Sequence, residues 1–217
     1  IRLKPLTNVI PKPLIPLKDK TMLEEIFDKF SNYGSNNFYI STNYKSELIK
    51  YYIESQNLDF NITYFKEHKP LGTAGSLSLL EQKINETFFV TNCDILIDED
   101  YSEILDYHRK NKNEITVIAA LKNYSIPYGT IKTGSNGDLI DLTEKPDITL
   151  KINSGMYLLE PHLLNQIPKD TFFHITNLIH DVKARSGRVG VFPVLEKSWI
   201  DIGGWNEFIN EARINKK

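Results

Sequence analysis

Residues 86–121 read ETFFVTNCDILIDEDYSEILDYHRKNKNEITVIAAL, and they set the architecture of the chain. ETFFVTNC is a nearly continuous apolar strand, SEILDYHRK has the spacing of a short helix, and EITVIAAL is a second strand apolar on both faces. A strand without a polar face must be covered on both sides, and helices of about ten residues between such strands supply the cover. The stretch therefore predicts a central, largely parallel sheet between two helical layers.

The same rhythm extends upstream. TMLEEIFDKF puts Leu23, Ile26, Phe27 and Phe30 on one helical face with Gly34 placed to stop it; NNFYIST follows as a strand, KSELIKYYIES as a helix and LDFNITYF as a strand alternating Phe60, Ile62 and Tyr64. AGSLSLLEQK returns to helical spacing. Downstream, YGTIKTGSNGDLIDLTEK holds two alternating segments around Asn136-Gly137, a dipeptide suited to a tight turn needing positive φ, so a β-hairpin is expected there. INSGMYLLE reads as a strand, HITNLIHDVKARSG as a helix stopped by Gly187, RVGVFPV as a strand and GGWNEFINEARI as a closing helix. The expectation is one α/β domain over residues 1–217, a Rossmann-like three-layer sandwich whose mostly parallel central sheet carries an antiparallel hairpin excursion.

Composition narrows the function classes. Of 217 residues 41% are apolar, enough for one substantial core, and 26 basic side chains nearly cancel 28 acidic ones. No long-range field favours nucleic acid or an anionic membrane, and no apolar run approaches the roughly 20 residues of a membrane span. The single cysteine, Cys93, rules out an intrachain disulfide and a cysteine-rich zinc site, which makes the cytoplasm the expected compartment. The five histidines show no metal-ligand spacing.

Six stretches could carry chemistry. IRLKPLTNVIPKPLIPL carries Arg2, Lys4 and Lys12 with no acid before Asp19, and its prolines at 5, 11, 13 and 16 make it stiff and extended, able to present Lys12 to a polyanion such as a triphosphate. KPLGTAGSLSLL places Gly72 and Gly75 at the start of a helix, where a ligand could approach the backbone and free amides could meet an anion or a base edge. Asn92, Cys93 and Asp94 end an apolar strand, and Asp201 lies in SWIDIGGW; two strand-end carboxylates could share a hard cation such as Mg²⁺. In LTEKPD and INSGMY, Glu144 could accept from sugar hydroxyls, Lys145 could pair with a phosphate, and Asn153 and Gly155 offer an amide and a close backbone. Cys93 itself reads as a small apolar residue rather than a nucleophile.

Taken in order, these motifs resemble the sugar-1-phosphate nucleotidyltransferase family over essentially the whole chain. RLKPLT followed by PKPLIP looks like the second half of that family's opening signature, so the resemblance implies that the preceding strand and glycine loop are missing from an N-terminally incomplete chain. Ile1 stands where the family commonly has Thr, and Cys93 where it usually has Gly between Asn and Asp. Carried over, the resemblance implies that Arg2 and Lys12 bind nucleotide phosphates and that Lys145 joins them in catalysis. It further implies that Gly72, Thr73, Ala74, Gly75 and Asn92 line the nucleotide pocket, and that Tyr128, Gly129, Glu144, Lys145, Asn153 and Gly155 surround the sugar 1-phosphate. Asp94 and Asp201 would hold Mg²⁺.

KPLGTAGSL is similar to mannose-1-phosphate guanylyltransferases, which favours GTP as the nucleotide. TNCDILID, IPYGTI, NSGMYLLEP and EKSWIDIG resemble a bacterial branch that includes a glucosamine-1-phosphate guanylyltransferase of legionaminic acid synthesis. That branch is often fused behind cystathionine-β-synthase regulatory modules, so such modules, and a homo-oligomer, are possible partners. Two rivals stand beside this reading. One is a cytidylyltransferase for phosphocholine, with Tyr128, Trp199 and Trp205 as a candidate aromatic cage; the other is a nucleotide-sugar-binding regulatory module without turnover.

Overall fold

The structure is a computed structural model that describes residues 3–17, 19–43 and 45–203. The chain runs through α1 (Leu6–Val9), β1 (Pro16–Leu17), β2 (Lys20–Thr21), α2 (Met22–Ser31), β3 (Asn37–Thr42), α3 (Ser46–Ser55), β4 (Asn61–Lys66) and α4 (Gly72–Gly75). It continues through β5 (Phe88–Thr91), β6 (Ile95–Ile97), α5 (Tyr101–Lys110), β7 (Ile115–Ser125), β8 (Thr130–Thr133), β9 (Leu139–Thr143), β10 (Asp147–Leu159), α6 (Ile175–Ala184), β11 (Val189–Leu195) and β12 (Trp199–Asp201). Arg2 and the expected closing helix lie outside the described residues.

Local chemistry sets the helix ends. Thr21 and Glu24 form a reciprocal capping box at α2, the Thr21 amide donating to the Glu24 carboxylate at 2.7 Å and the Glu24 amide to the Thr21 hydroxyl at 3.3 Å. Asp100 caps α5 by accepting from the Ser102 amide at 2.8 Å. At the far end of α6 the left-handed residue is Ser186, at φ 64°, and not Gly187. The Gly187 amide closes a six-residue turn onto the Val182 carbonyl while the Ser186 amide reaches that of Lys183.

The main sheet has the order β11-β7-β10-β5, and the apolar-on-both-faces reading holds. On one side Ile115, Tyr157, Leu159, Phe88 and Val90 pack with Leu178 and Val182 of α6 and with Ala74 and Leu77. On the other, Ile118, Ala120, Met156, Leu158 and Phe89 pack with Ile26 and Phe30 of α2 and Ile104 of α5. Successive residues of β10 thus point into opposite cores, each fully buried aliphatic side chain contributing roughly 1.5–3 kcal/mol. This is the expected three-layer α/β arrangement.

Its strand directions differ from the expected mostly parallel pattern. In the main sheet β11, β7 and β5 all run one way, but only β11 and β7 are paired in parallel, because β10 lies between β7 and β5 and is antiparallel to both; in the separate two-stranded sheets β3 is parallel to β4, and β6 is antiparallel to β12. The physical reason lies in the hairpin, formed as expected by β8 and β9 with Gly137 at φ 84°. The chain leaves the sheet along β7, makes one up-and-down excursion, and can re-enter only in the opposite direction. A second difference concerns residues 72–80, where one turn of α-helix passes into a 3₁₀ stretch at Ser76–Leu80 instead of a regular ten-residue helix.

Candidate active site

The carboxyl ends of β5 and β7 open on the same end of the sheet, and β10 enters from there. Between Asn153 and Tyr157 the ladder slips: Asn153 pairs with Ala119 and Tyr157 with Val117, so β10 carries two extra residues. Side chains within the bulge satisfy the backbone groups it frees. The Ser154 hydroxyl donates to the Ile118 carbonyl at 2.7 Å and accepts from the Met156 amide at 3.2 Å; Asn153 accepts from the Gly155 amide at 3.2 Å and donates to the Tyr157 hydroxyl at 2.8 Å. Asn153, expected at the sugar phosphate, thus shapes the bulge through both ends of its amide.

Gly155 is the centre of that device. Its φ is 88°, and a Cβ built there would lie 2.7 Å from the Asn92 Nδ2, while its carbonyl accepts from the Asn92 amide at 3.2 Å. A side chain is therefore excluded by both conformation and space. The bulge seats the turn Asn92-Cys93-Asp94 that follows β5. Cys93 is partly buried in that turn, and burial pushes its thiol up to about 11, the Asp94 carboxylate adding to the effect and the Lys12 ammonium opposing it. A thiol so far above neutrality is no nucleophile, in line with the sequence reading.

Asp94 and Asp201 are brought together by backbone pairing. Asp201 lies opposite Ile95 in the β6–β12 ladder, and the Ile202 amide donates to the Asp94 carbonyl at 3.0 Å. The Asp201 carboxylate also accepts from the Gly203 amide at 2.7 Å. Lys12 arrives from the N-terminal strap on a 3₁₀ turn bounded by Pro11 and Pro13, and its ammonium makes an ion pair with the Asp94 carboxylate, whose side chain is 16% exposed. The strap is held from behind by Lys45, which donates to the carbonyls of Asn8 and Val9 at 2.7 and 2.6 Å. Sequence reasoning missed Lys45; its only trace was a lysine at the start of a helix, a feature without specificity.

Around this cluster the remaining candidates divide. Gly129 and Glu144 face one another across the hairpin, a Cβ on Gly129 falling 2.8 Å from the Glu144 carboxylate. Lys145 takes a left-handed φ of 46°, and Tyr128 is 74% exposed at the hairpin's base. Among the described residues neither Glu144 nor Lys145 has an ion pair or a side-chain hydrogen bond. Residues 72–75 are more deeply committed than expected. The Ala74 and Gly75 amides both donate to the Phe173 carbonyl at 3.0 Å, and the Thr73 hydroxyl accepts from the Ile175 amide at 2.9 Å. The free amides expected at this helix start are, for Ala74 and Gly75, spent on the segment before α6. A Cβ on Gly72 would sit 2.7 Å from that same Phe173 carbonyl, so the close approach its glycine permits is to the protein's own backbone.

The family model for nucleotidyl transferases matches residues 1–217. The chain belongs to that family. Among curated relatives, the mannose-1-phosphate guanylyltransferase catalytic subunit beta of Dictyostelium discoideum is 32% identical over 217 residues, covering 96% of this chain and 60% of its own length. The corresponding subunit of Danio rerio is 31% identical over 216 residues, covering 96% and 59%. This nucleotidyl transferase chain thus spans about 60% of the length of the curated relatives it matches. Among solved structures, HddC from Yersinia pseudotuberculosis complexed with GMP-PN superposes with a TM-score of 0.74 at 21% identity, over 97% of this chain and 92% of that one. A putative glucose-1-phosphate thymidylyltransferase from Bacillus anthracis gives 0.71 at 20% identity, over 97% and 89%. Those likenesses establish the Rossmann-like fold.

Proposed function

We propose that this chain carries the catalytic site of a sugar-1-phosphate nucleotidyltransferase that moves a nucleoside monophosphate from an NTP to a sugar 1-phosphate and releases pyrophosphate. The observation that carries the reading is the meeting of Lys12 with Asp94, beside Asp201, at the carboxyl end of β5. In α/β sheets that is where phosphate ligands and their cations sit.

The reaction needs no special nucleophile. An oxygen of the sugar phosphate, already anionic, forms the new bond to the α-phosphorus as the bond to pyrophosphate breaks, so no general base is required. The barrier is alignment plus repulsion between two anions, which fixed cations lower. In this reading Lys12, with Arg2, offsets charge on the triphosphate, Lys145 holds the sugar phosphate and Glu144 its hydroxyls. Gly72 through Gly75 and Asn92 border the nucleotide, and Tyr128, Gly129 and the Asn153–Gly155 bulge border the sugar.

Asp94 and Asp201 fit a divalent cation of the Mg²⁺ type: both donors are hard carboxylate oxygens, and paired strands hold their backbones side by side. Among the described residues no third acidic, histidine or cysteine side chain joins them, which suits an ion that keeps waters and substrate phosphates as ligands. When bound, such an ion would neutralise phosphate charge and orient the triphosphate.

GTP is favoured as the nucleotide because the relatives above are guanylyltransferases by name and one of the superposing structures is a GMP-PN complex. The NDP-sugar made in the cytoplasm would serve surface glycan synthesis. The phosphocholine alternative loses one of its aromatics, since Trp199 packs into the core cluster with Ile26, Phe30 and Tyr101. Pyrophosphate release by the full-length protein, assayed with GTP, CTP, UTP and dTTP against hexose and hexosamine 1-phosphates and phosphocholine, tests the proposal. Release with GTP and a sugar phosphate is expected; release only with CTP and phosphocholine would overturn it, and nucleotide binding without any release would leave a regulatory module.

A further inference from the structure

Lys12 and a divalent cation are both drawn to one carboxylate. The Lys12 ammonium is paired with Asp94, a side chain only 16% exposed, and Lys12 itself is 29% exposed. A carboxylate so far removed from water is costly without a partner, and the Lys12 ammonium supplies one. The strap limits how that pairing can change. Pro11 and Pro13 fix φ on either side of Lys12, the 3₁₀ turn Lys12–Leu14 is closed by the Ile15 amide on the Lys12 carbonyl at 3.2 Å, and Lys45 pins the carbonyls of Asn8 and Val9. The Lys12 backbone therefore stays, and its four-carbon stem alone can swing.

We infer that Lys12 is a place-holder cation, neutralising Asp94 in the nucleotide-free protein and excluding a divalent ion until triphosphate arrives to take the ammonium away. This rests on the nucleotidyl-transfer reading and goes beyond it: it assigns Lys12 a role before catalysis and sets an order of binding. With Lys12 on Asp94, a divalent ion gains little from a neutralised carboxylate and meets a like charge at the same oxygen. Triphosphate supplies a better partner for the ammonium, because it carries several negative charges where the Asp94 carboxylate carries one. The exchange moves one positive charge from carboxylate to phosphate and frees Asp94 for the ion that travels with the nucleotide. The metal would thus enter with the nucleotide and not before it.

Mn²⁺ binding to nucleotide-free protein, followed by the loss of the free-ion resonance in electron paramagnetic titrations, tests this without turnover. Lys12→Met keeps the apolar stem and removes the charge; Lys12→Gln is the second variant should Met disturb folding, which circular dichroism checks. Wild type is expected to bind Mn²⁺ weakly and the Lys12 variants at least about tenfold more tightly, a difference of roughly 1.4 kcal/mol. Mn²⁺ should accordingly raise Tm in Lys12→Met but hardly in wild type. Equal affinity in wild type and both Lys12 variants, with binding lost in Asp94→Asn, would overturn the place-holder while leaving the carboxylates as metal ligands. Mn²⁺ binding indifferent to Asp94→Asn in every background would overturn the metal reading itself and the place-holder with it.

Discussion

The two ends of the main sheet spend their charges differently. Where β7 begins and β10 ends, Glu114 accepts from His162 at 2.8 Å and from both terminal nitrogens of Arg185, and buried His108 bridges Thr116 at 2.8 Å and Glu160 at 3.0 Å. The Thr87 hydroxyl donates a second bond to the Glu160 carboxylate at 2.7 Å, and the Glu160 amide donates to the Glu114 carbonyl at 3.0 Å. The arginine fork holds the Glu114 carboxyl down at about 2, and burial lowers the His108 imidazole. The partners there lie within, or directly beside the ends of, helices and strands. At the other end Asp94 has one flexible lysine, and Glu144 and Lys145 have no ion pair among the described residues. Closed networks fix a fold, whereas charges with exchangeable partners can serve a ligand.

The largest expected effect sharpens that contrast. Asp94→Asn keeps the shape of the side chain and removes its charge, so Mg²⁺-dependent pyrophosphate release should fall by roughly 10²–10³-fold, the scale set by losing one electrostatic group at a reacting centre. Stability in urea should change little, because Lys12 is left with partial access to water. Full activity in this variant would remove Asp94 from the site and erase the distinction between the two ends.

Gly155→Ala is expected next. It forces a Cβ into a left-handed position and within 2.7 Å of Asn92 Nδ2, at a cost of about 1–3 kcal/mol in unfolding free energy. Because the displaced group is Asn92, two residues before Asp94, activity should drop by more than the stability loss alone predicts. Urea unfolding together with kcat and KM separates the two; a stability loss with unchanged kinetics would make the bulge purely structural.

Much of this was legible beforehand, and the failures have physical causes. Core faces such as Leu23, Ile26, Phe27 and Phe30 follow from spacing alone, since a helix has one side to bury. The Asn136-Gly137 hairpin was equally local. Strand direction was not, because an apolar strand looks the same read either way, and only counting the passes through the hairpin reveals that β10 must descend. At the site, residue identity singles out Lys12, Asp94 and Asp201 as candidates and the fold brings them together, but hydrogen-bond bookkeeping is invisible in sequence: nothing in GTAG announces that its amides go to Phe173, nor in INSG that Asn153 turns back on its own bulge. Arg2 and the expected final helix lie outside the described residues.

Glu114→Gln carries the smallest expected effect and tests the other half of the contrast. Its folded carboxyl titrates near 2 against an ordinary value of 4.5, chiefly through Arg185, so the unfolded chain takes up the proton first as pH falls. The stabilisation is therefore complete above about pH 4.5 and is lost as pH drops towards 2. Arg185 is 41% exposed, so solvent screens much of the pair, and the loss at neutral pH should be only about 1 kcal/mol. Urea unfolding from pH 7 down to pH 3 should show wild type losing stability below about pH 4.5 more steeply than Glu114→Gln, the two curves converging, while pyrophosphate release at pH 7 stays the same. A variant that kept its stability but lost turnover would mean that this end of the sheet, for all its closed bonding, reaches the site through β10.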